Sequence, residues 1–161
     1  MVYPPIQTIL LADDNLDDCE LIQEAWAEAP VGKQLRSVNN GEEVLDYLCR
    51  RGAFQASEVS PRPSVILLDL NMPLMTGIEV LKEIKQHARL ACIPIIVLTT
   101  SKAPKDIVET AGLGVNGYMH KPNTYAGYLQ IFTHLREHWA EILERPLSGG
   151  GSEWSGHLAW C

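Results

Sequence analysis

Basic residues are scarce in this sequence, and they are not clustered. Its 161 residues include 13 Lys and Arg against 20 Asp and Glu, which gives a formal net charge of -7 at pH 7. Binding to nucleic acid depends on clustered cations that neutralise phosphates, and the sequence contains no such run. We therefore expect no DNA partner.

Long apolar runs and targeting features are missing as well. The strongly apolar stretches, such as residues 93–98, are far shorter than the roughly 20 residues that a helix needs to cross a bilayer. The first seven residues lack a basic segment followed by an apolar one, so no secretory signal is indicated. From these absences we expect no membrane partner and a cytoplasmic location.

The cysteines are too scattered to predict a metal site. Cys19, Cys49, Cys92 and Cys161 include no CxxC pair, which is the spacing typical of zinc sites. Cysteines of cytosolic proteins are ordinarily reduced. We therefore expect thiols rather than a disulfide framework.

What the sequence does contain is a regular alternation of apolar runs and helical patterns. Apolar runs predict five strands, at residues 8–12, 35–38, 64–68, 94–98 and 115–119, and each is followed by a helical pattern, at residues 16–29, 42–51, 76–87, 103–113 and 124–143. Parallel strands need crossover connections, which helices usually provide. The sequence therefore predicts an α/β fold: a doubly wound, five-stranded parallel sheet with the flavodoxin-like strand order 2-1-3-4-5.

The domain organisation follows from a change in composition near the end of the chain. We expect one folded domain over residues 1–146 and a Gly/Ser-rich C-terminal tail over residues 147–161. Gly and Ser are typical of flexible linkers.

Polar side chains follow four of the five predicted strands. Asp13 and Asp14 come after the first strand, Asp69 after the third, Thr99 at the end of the fourth and Lys121 after the fifth. A doubly wound sheet binds its ligands at the carboxyl ends of its strands, so these side chains should converge. Adjacent carboxylates repel one another unless a cation joins them or their pKa values rise. Oxygen ligands without His or Cys favour Mg²⁺.

This set of residues is suited to phosphoryl transfer. An aspartate can act as a nucleophile and form an acyl phosphate, while a metal, a lysine and a hydroxyl stabilise charge on the transferred group. Each residue alone also has an ordinary role, as a helix cap, a turn residue or a solvated charge. Their joint placement at the strand ends is what favours the functional interpretation.

Four segments resemble the signature blocks of response-regulator receiver domains: residues 9–15 (ILLADDN), 65–77 (VILLDLNMPLMTG), 93–101 (IPIIVLTTS) and 116–122 (NGYMHKP). The resemblance implies that Asp69 is the phospho-acceptor. It also implies that Asp14 binds Mg²⁺ directly, that Asp13 binds it mainly through water, and that the backbone carbonyl of Asn71 is a further ligand.

The same resemblance assigns the remaining residues of the site. It makes Thr99 the switch hydroxyl, Tyr118 the switch aromatic and Lys121 a contact of the acyl phosphate. It also implies a cis peptide bond between Lys121 and Pro122, and it matches Gly77 to the glycine of the turn that follows the acceptor.

Partners are implied by a narrower resemblance. Residues 49–71 and the later VLTTS segment are similar to the receivers that partner phytochrome-type histidine kinases, which implies such a kinase as phosphodonor. It also implies a homodimer formed through the last helix. An apolar stripe on that helix could contribute to the dimer or pack on the sheet: Phe132, Leu135, Trp139, Ile142 and Leu143.

The sequence thus predicts a phosphorelay protein that catalyses only its own phosphorylation and dephosphorylation. Two alternative functions remain. An Mg²⁺-dependent hydrolase with an aspartate nucleophile would need a second acid two residues after Asp69, where the sequence has Asn71. A degenerate receiver that binds partners without phosphate would not need the complete set of five polar residues.

Overall fold

The computed structural model describes residues 4–144 of the chain. The predicted domain end at residue 146 and the tail over residues 147–161 lie outside the described residues. The strands are β1 Thr8–Ala12, β2 Gln34–Val38, β3 Val65–Leu68, β4 Ile95–Thr99 and β5 Gly117–His120. The helices are α1 Leu16–Glu28, α2 Gly41–Cys49, α3 Gly77–Gln86, α4 Pro104–Gly112, α5 Tyr125–Glu137 and α6 Trp139–Glu144, with one 3₁₀ turn at Gly52–Phe54.

The five strands form one parallel sheet in the order β2-β1-β3-β4-β5. This confirms the predicted fold class and strand order. The registers align the strand ends, since Ala12 of β1 is paired with Val38 of β2 and with Leu68 of β3. Loops that leave these strands therefore start at one common edge.

Hydrophobic cores lie on both faces of the sheet. Strand β1 is buried along its whole length, and its side chains alternate between the two cores because successive residues of a strand point to opposite faces. Leu10 belongs to the core that α2 and α3 cover. Ile9 and Leu11 belong to the core that α1 and α5 cover. Burial on both faces explains why the central strands β1, β3 and β4 are largely apolar runs without polar alternation.

Side-chain caps fix the start of several helices close to the carboxyl edge of the sheet. The Asn15 side chain accepts a hydrogen bond from Asp18 N at the start of α1. At the start of α3, Thr76 and Glu79 form a reciprocal capping box. Such caps satisfy N–H groups that have no partner within the helix. The loops between strand and helix are thereby held at both ends.

The last helical segment differs from the prediction of one helix over residues 124–143. The helix breaks at His138, and α6 continues to Glu144. The short helix is held by two contacts from its own chain: Asn116 Nδ2 donates to Ile142 O at 3.1 Å, and Trp139 Nε1 donates to Pro4 O at 3.2 Å. These contacts favour a bend that a continuous helix would not allow.

The apolar stripe predicted on this segment is mostly buried within the chain itself. The buried members are Phe132, Leu135, Ile142 and Leu143, whereas Trp139 is partly exposed. Packing on the sheet is therefore the correct interpretation for Phe132, Leu135 and Ile142, which share a core with strand residues.

Two further sequence features can be compared with the structure. Cys19 and Cys49 are free thiols, as expected. Within residues 4–144, no helix combines the length and apolar character needed to span a bilayer.

Candidate functional site

Three carboxylates meet at the carboxyl edge of the sheet, as predicted. The backbone N of Asp13 donates to Val38 O at 3.1 Å, and the backbone N of Asp69 donates to Ala12 O at 3.0 Å, so hydrogen bonds to neighbouring strands fix both residues. Asp13 and Asp69 are buried, while Asp14 is exposed. One oxygen from each carboxylate lies within 4.8 Å of the others. The prediction that these three residues converge is confirmed.

Lys121 completes this cluster from the end of β5. Its backbone N donates to Thr99 O at 3.0 Å, and its side chain is 5% exposed. The ammonium nitrogen lies 2.7 Å from Asp13 Oδ2, 2.9 Å from Asp18 Oδ2 and 3.1 Å from Asp69 Oδ2. An ammonium group has three N–H donors, and three carboxylates surround it here.

Burial and ion pairing act on the protonation of this cluster in opposite directions. Burial raises the pKa of Asp13, and the hydrogen bond from Lys121 only partly offsets this. Burial alone would lower the pKa of Lys121, but its hydrogen bonds with Asp13 and Asp18, together with the negative charges of Asp13 and Asp69, outweigh burial and raise that pKa. Lys121 is therefore a permanent cation at neutral pH, as a charge-neutralising residue must be.

An open cleft of about 480 Å³ borders the cluster. Asp14, Asp69, Asn71, Thr100 and Lys121 contribute to its lining. Asn71 is exposed at the cleft, and its backbone N donates to Asp69 Oδ1 at 3.2 Å. The cleft gives a small ligand access to the Asp69 carboxylate.

Gly77 lies close to the backbone of the proposed acceptor Asp69. Its backbone N donates to Leu70 O at 2.9 Å. A Cβ atom at this position would lie 2.4 Å from Asp69 O and 2.7 Å from Leu70 Cα, which are impossible contacts for a side chain. The turn after Asp69 therefore requires a residue without a Cβ atom, as the resemblance implied.

Thr99 and Tyr118 do not line the cleft. Thr99 is fully buried, and its Oγ1 accepts a hydrogen bond from Ser101 N at 3.3 Å. Tyr118 is half-buried, and its hydroxyl donates to Ser101 O at 3.0 Å. Ser101 thus contacts both predicted switch residues, while Thr100 is the threonine that lines the cleft.

The implied cis bond between Lys121 and Pro122 is not found, because the described residues contain no cis peptide bond. A trans X-Pro bond is the more stable isomer by about 0.5–1 kcal/mol unless its surroundings select cis.

Asp18 is the contact of the site that the sequence did not predict. It lies in the first turn of α1, four residues after Asp14, and reaches Lys121 with its side chain. Acidic residues in a first helical turn are common because they interact favourably with the helix dipole. The one available signal was its position, since the first turn of α1 starts at the same edge of the sheet as the site.

Comparison with known protein families assigns this arrangement to a family. Residues 9–132 match the model of the response regulator receiver domain, and this range contains the whole acidic cluster and all five strands except Thr8. The chain is a receiver domain.

Individual relatives agree with this assignment. The receiver domain is 35% identical over 142 residues to the response regulator Rcp1 of Synechocystis sp., covering 88% of this chain and 95% of Rcp1. It is similar to the crystal structure of the phosphorylated cyanobacterial phytochrome response regulator RcpA, with a TM-score of 0.75, 39% identity and coverage of 83% and 94%. It is also similar to the Mn²⁺-bound form of Rcp1, with a TM-score of 0.73, 36% identity and coverage of 84% and 95%. The receiver domain thus belongs to a phosphorelay signalling family.

Proposed function

We propose that this receiver domain accepts a phosphoryl group on the carboxylate of Asp69. The observation that carries the proposal is the position of that carboxylate: its Oδ2 lies 3.1 Å from Lys121 Nζ, and the residue borders an open cleft. A carboxylate at a cleft can reach a phosphodonor, and the adjacent ammonium can neutralise charge on the incoming group.

The reaction is a displacement at phosphorus. A carboxylate oxygen of Asp69 forms a bond to phosphorus, the bond between phosphorus and the donor breaks, and the donor leaves with the electron pair. The product is an acyl phosphate, and the carboxylate nucleophile has no proton to lose. In hydrolysis, water attacks phosphorus, the bond to Asp69 breaks, inorganic phosphate leaves with the protons of the water, and the carboxylate is restored.

The donor set fits Mg²⁺. Asp13, Asp14 and Asp69 offer oxygens within 4.8 Å of one another, and Lys121 supplies a single positive charge against them. Mg²⁺ is typically bound by one or two carboxylates together with water and phosphate oxygens. We propose these three residues and the backbone carbonyl of Asn71 as its protein ligands. When bound, the ion would neutralise charge on the transferred phosphoryl group.

The switch assignment extends from Asp69 to β4 and β5. We propose that the Thr99 hydroxyl donates to a phosphoryl oxygen, and that a rotation towards this oxygen would move Thr99 Oγ1 away from Ser101 N, from which it now accepts a hydrogen bond. Tyr118 hydrogen-bonds Ser101 O, so a shift of Ser101 would also affect the ring. The outcome would be a change in population between two arrangements of the surface near β5.

Receiver domains are signalling proteins rather than enzymes that turn over other substrates, and we propose that this one catalyses only its own phosphorylation and dephosphorylation. The family match favours this function over the phosphatase-like hydrolase. We also propose a cytoplasmic location. We propose a phytochrome-type histidine kinase as donor, which is supported by similarity to a protein described as a phytochrome response regulator. Transfer from such a kinase's phosphohistidine to the purified receiver, assayed with Asp69→Asn as control, tests the partner.

A homodimer through the last helix is a further proposal. Although most of the apolar stripe is buried, three apolar side chains of α5 remain partly exposed: Tyr125, Leu129 and Ile131. A twofold contact uses the same surface on both subunits, so this helix would pack against its own copy.

The direct test of the proposed function is phosphorylation by acetyl phosphate with Mg²⁺, measured by intact-protein mass spectrometry. The wild type should gain one phosphate-sized increment, and the increment should disappear when Mg²⁺ is chelated. Asp69→Asn keeps the size of the side chain but removes the nucleophile, so it should gain none. A wild type that gains no phosphate would support the degenerate, phosphate-independent alternative.

A further inference from the structure

Asp18 contacts the reactive cluster although it lies on a different element from the other carboxylates. Its Oδ2 is 2.9 Å from Lys121 Nζ, closer than Asp69 Oδ2 at 3.1 Å. The Asp18 side chain is 19% exposed. Its backbone N is held by the Asn15 side chain at 3.0 Å, so the first turn of α1 fixes the direction from which the carboxylate approaches.

The partners of Lys121 have different fates in the proposed reaction. Asp69 becomes an acyl phosphate and loses its carboxylate charge, while Asp13 is a proposed metal ligand. Asp18 belongs to neither group, so its charge and its position persist through the reaction. It is the partner that can hold the ammonium in place while the other two change.

The buried phenol of Tyr128 also lies near Asp18. Tyr128 is 1% exposed on α5, and its Oη has no well-formed hydrogen bond among the described residues. Burial, and then the negative charge of Asp18, raise the pKa of Tyr128. The Asp18 carboxylate therefore interacts both with the Lys121 ammonium and with a buried phenol.

We propose that Asp18 is a positioning residue of the phosphoryl site, which anchors the Lys121 ammonium beside Asp69 before and after phosphoryl transfer. This inference rests on the proposed function, because Lys121 must act on the phosphoryl group for its position to matter. A lysine side chain has four rotatable bonds, so a fixed partner reduces the number of positions it samples. A small displacement of a charge-stabilising group can slow a reaction strongly.

The test compares Asp18→Ala and Asp18→Asn with Asp17→Ala in the full chain. Asp17 is exposed in the same helical turn, so Asp17→Ala changes the net charge and the helix dipole as Asp18→Ala does. The rate of Asp69 phosphorylation is measured against acetyl phosphate concentration at saturating Mg²⁺. We expect Asp18→Ala to lower the maximal rate roughly tenfold, and Asp17→Ala to leave it unchanged. Asp18→Asn keeps an oxygen that can accept from Nζ, so it should recover part of the loss.

A second measurement needs neither metal nor phosphodonor. A buried ammonium held by three carboxylates should exchange its protons slowly enough for its ¹⁵Nζ signal to be observed by NMR. Asp18→Ala should shift or broaden the Lys121 signal, whereas Asp17→Ala should not. Circular dichroism checks that each variant is folded, and Asp18→Asn replaces Asp18→Ala if the alanine variant is not.

The possible outcomes separate the two proposals. If the wild type is active but Asp18→Ala and Asp17→Ala react at equal rates, the role of Asp18 is overturned while the proposed function stands. A faster Asp18→Ala variant would also overturn that role, because it would indicate that Asp18 competes for Lys121. A wild type that takes no phosphate overturns the proposed function and the catalytic consequence of Asp18. In that case an altered NMR signal would still establish that Asp18 holds the lysine.

Discussion

Lys121 is held by carboxylates that come from three separate parts of the chain: Asp13 after β1, Asp18 on α1 and Asp69 after β3. The exposed Asp14 lies close to Asp13 and Asp69, so the site contains four carboxylates but one ammonium group. This excess of negative charge favours binding of a divalent cation, which would relieve the repulsion. The proposed cation would also neutralise charge on an incoming phosphoryl group.

The backbone contact behind Asp69 makes Gly77 sensitive to the smallest substitution. In Gly77→Ala the new Cβ atom would meet Asp69 O at 2.4 Å, so the turn must move. We expect a loss of about 1–3 kcal/mol in the free energy of unfolding, by analogy with overpacked sites. Urea denaturation measures it.

Gly112→Ala is the matched control for this substitution. Its Cβ atom would have no neighbour within 4 Å, and alanine favours the helical conformation over glycine by up to about 1 kcal/mol. This variant should be as stable as the wild type or more so. If both glycine variants were equally stable, the close approach at Asp69 would not constrain the turn.

At this scale the sequence predicted residues that directly follow strands but missed one that reaches the site from a helix. Asp13, Asp69 and Lys121 could be predicted because the ends of parallel strands share an edge. Asp18 could not, because an acidic residue in a first helical turn has a sufficient explanation in the helix dipole alone. Its contact depends on the direction of α1, which is set by tertiary packing.

Among the elements, α6 shows how a buried polar side chain can fix the position of a short helix. Asn116, which is 6% exposed, accepts a hydrogen bond from Ile95 N at 3.2 Å and donates to Ile142 O at 3.1 Å. One amide therefore joins the start of β4 to the last turn of α6. A helix of six residues has little stability of its own, so this link and its apolar contacts hold it in place.

Asn116→Ala should therefore weaken α6 more than the rest of the protein. The substitution leaves Ile95 N and Ile142 O without these partners, and we expect the free energy of unfolding to fall by about 1–3 kcal/mol. Hydrogen exchange should increase in α6 beyond the change seen in β1. Asn123→Ala, at an exposed loop position, serves as control. Unchanged exchange in α6 would mean that its apolar contacts alone hold it.

The break between α5 and α6 could not be predicted from the sequence. Apolar residues continue at helical spacing through His138, and no Gly or Pro marks an end. The bend depends on contacts with Asn116 and Pro4, which are distant in sequence. Strand order, in contrast, was predictable because the alternation of strands and helices leaves few allowed topologies.

At the scale of the whole molecule, the proposed dimer can be tested at an exposed charge near the end of α5. Arg136 is exposed in the last turn of that helix, so Arg136→Glu should not disturb the core. If α5 packs against its own copy, a reversed charge at or beside the interface should weaken association, because like or unpaired charges there cost several kcal/mol.

Size-exclusion chromatography with light scattering measures this directly. The wild type should have about twice the monomer mass of 17.9 kDa, and Arg136→Glu should shift towards the monomer at the same concentration. Lys33→Glu makes the same change of charge at an exposed position before β2, away from α5, and should remain dimeric. A wild type that is monomeric at high concentration, both with and without acetyl phosphate, would exclude the dimer. Equal dissociation of the two variants would show that net charge, rather than a contact through α5, controls association. Because α5 follows directly from the loop that carries Lys121, a dimer through this helix would connect the state of Asp69 to assembly.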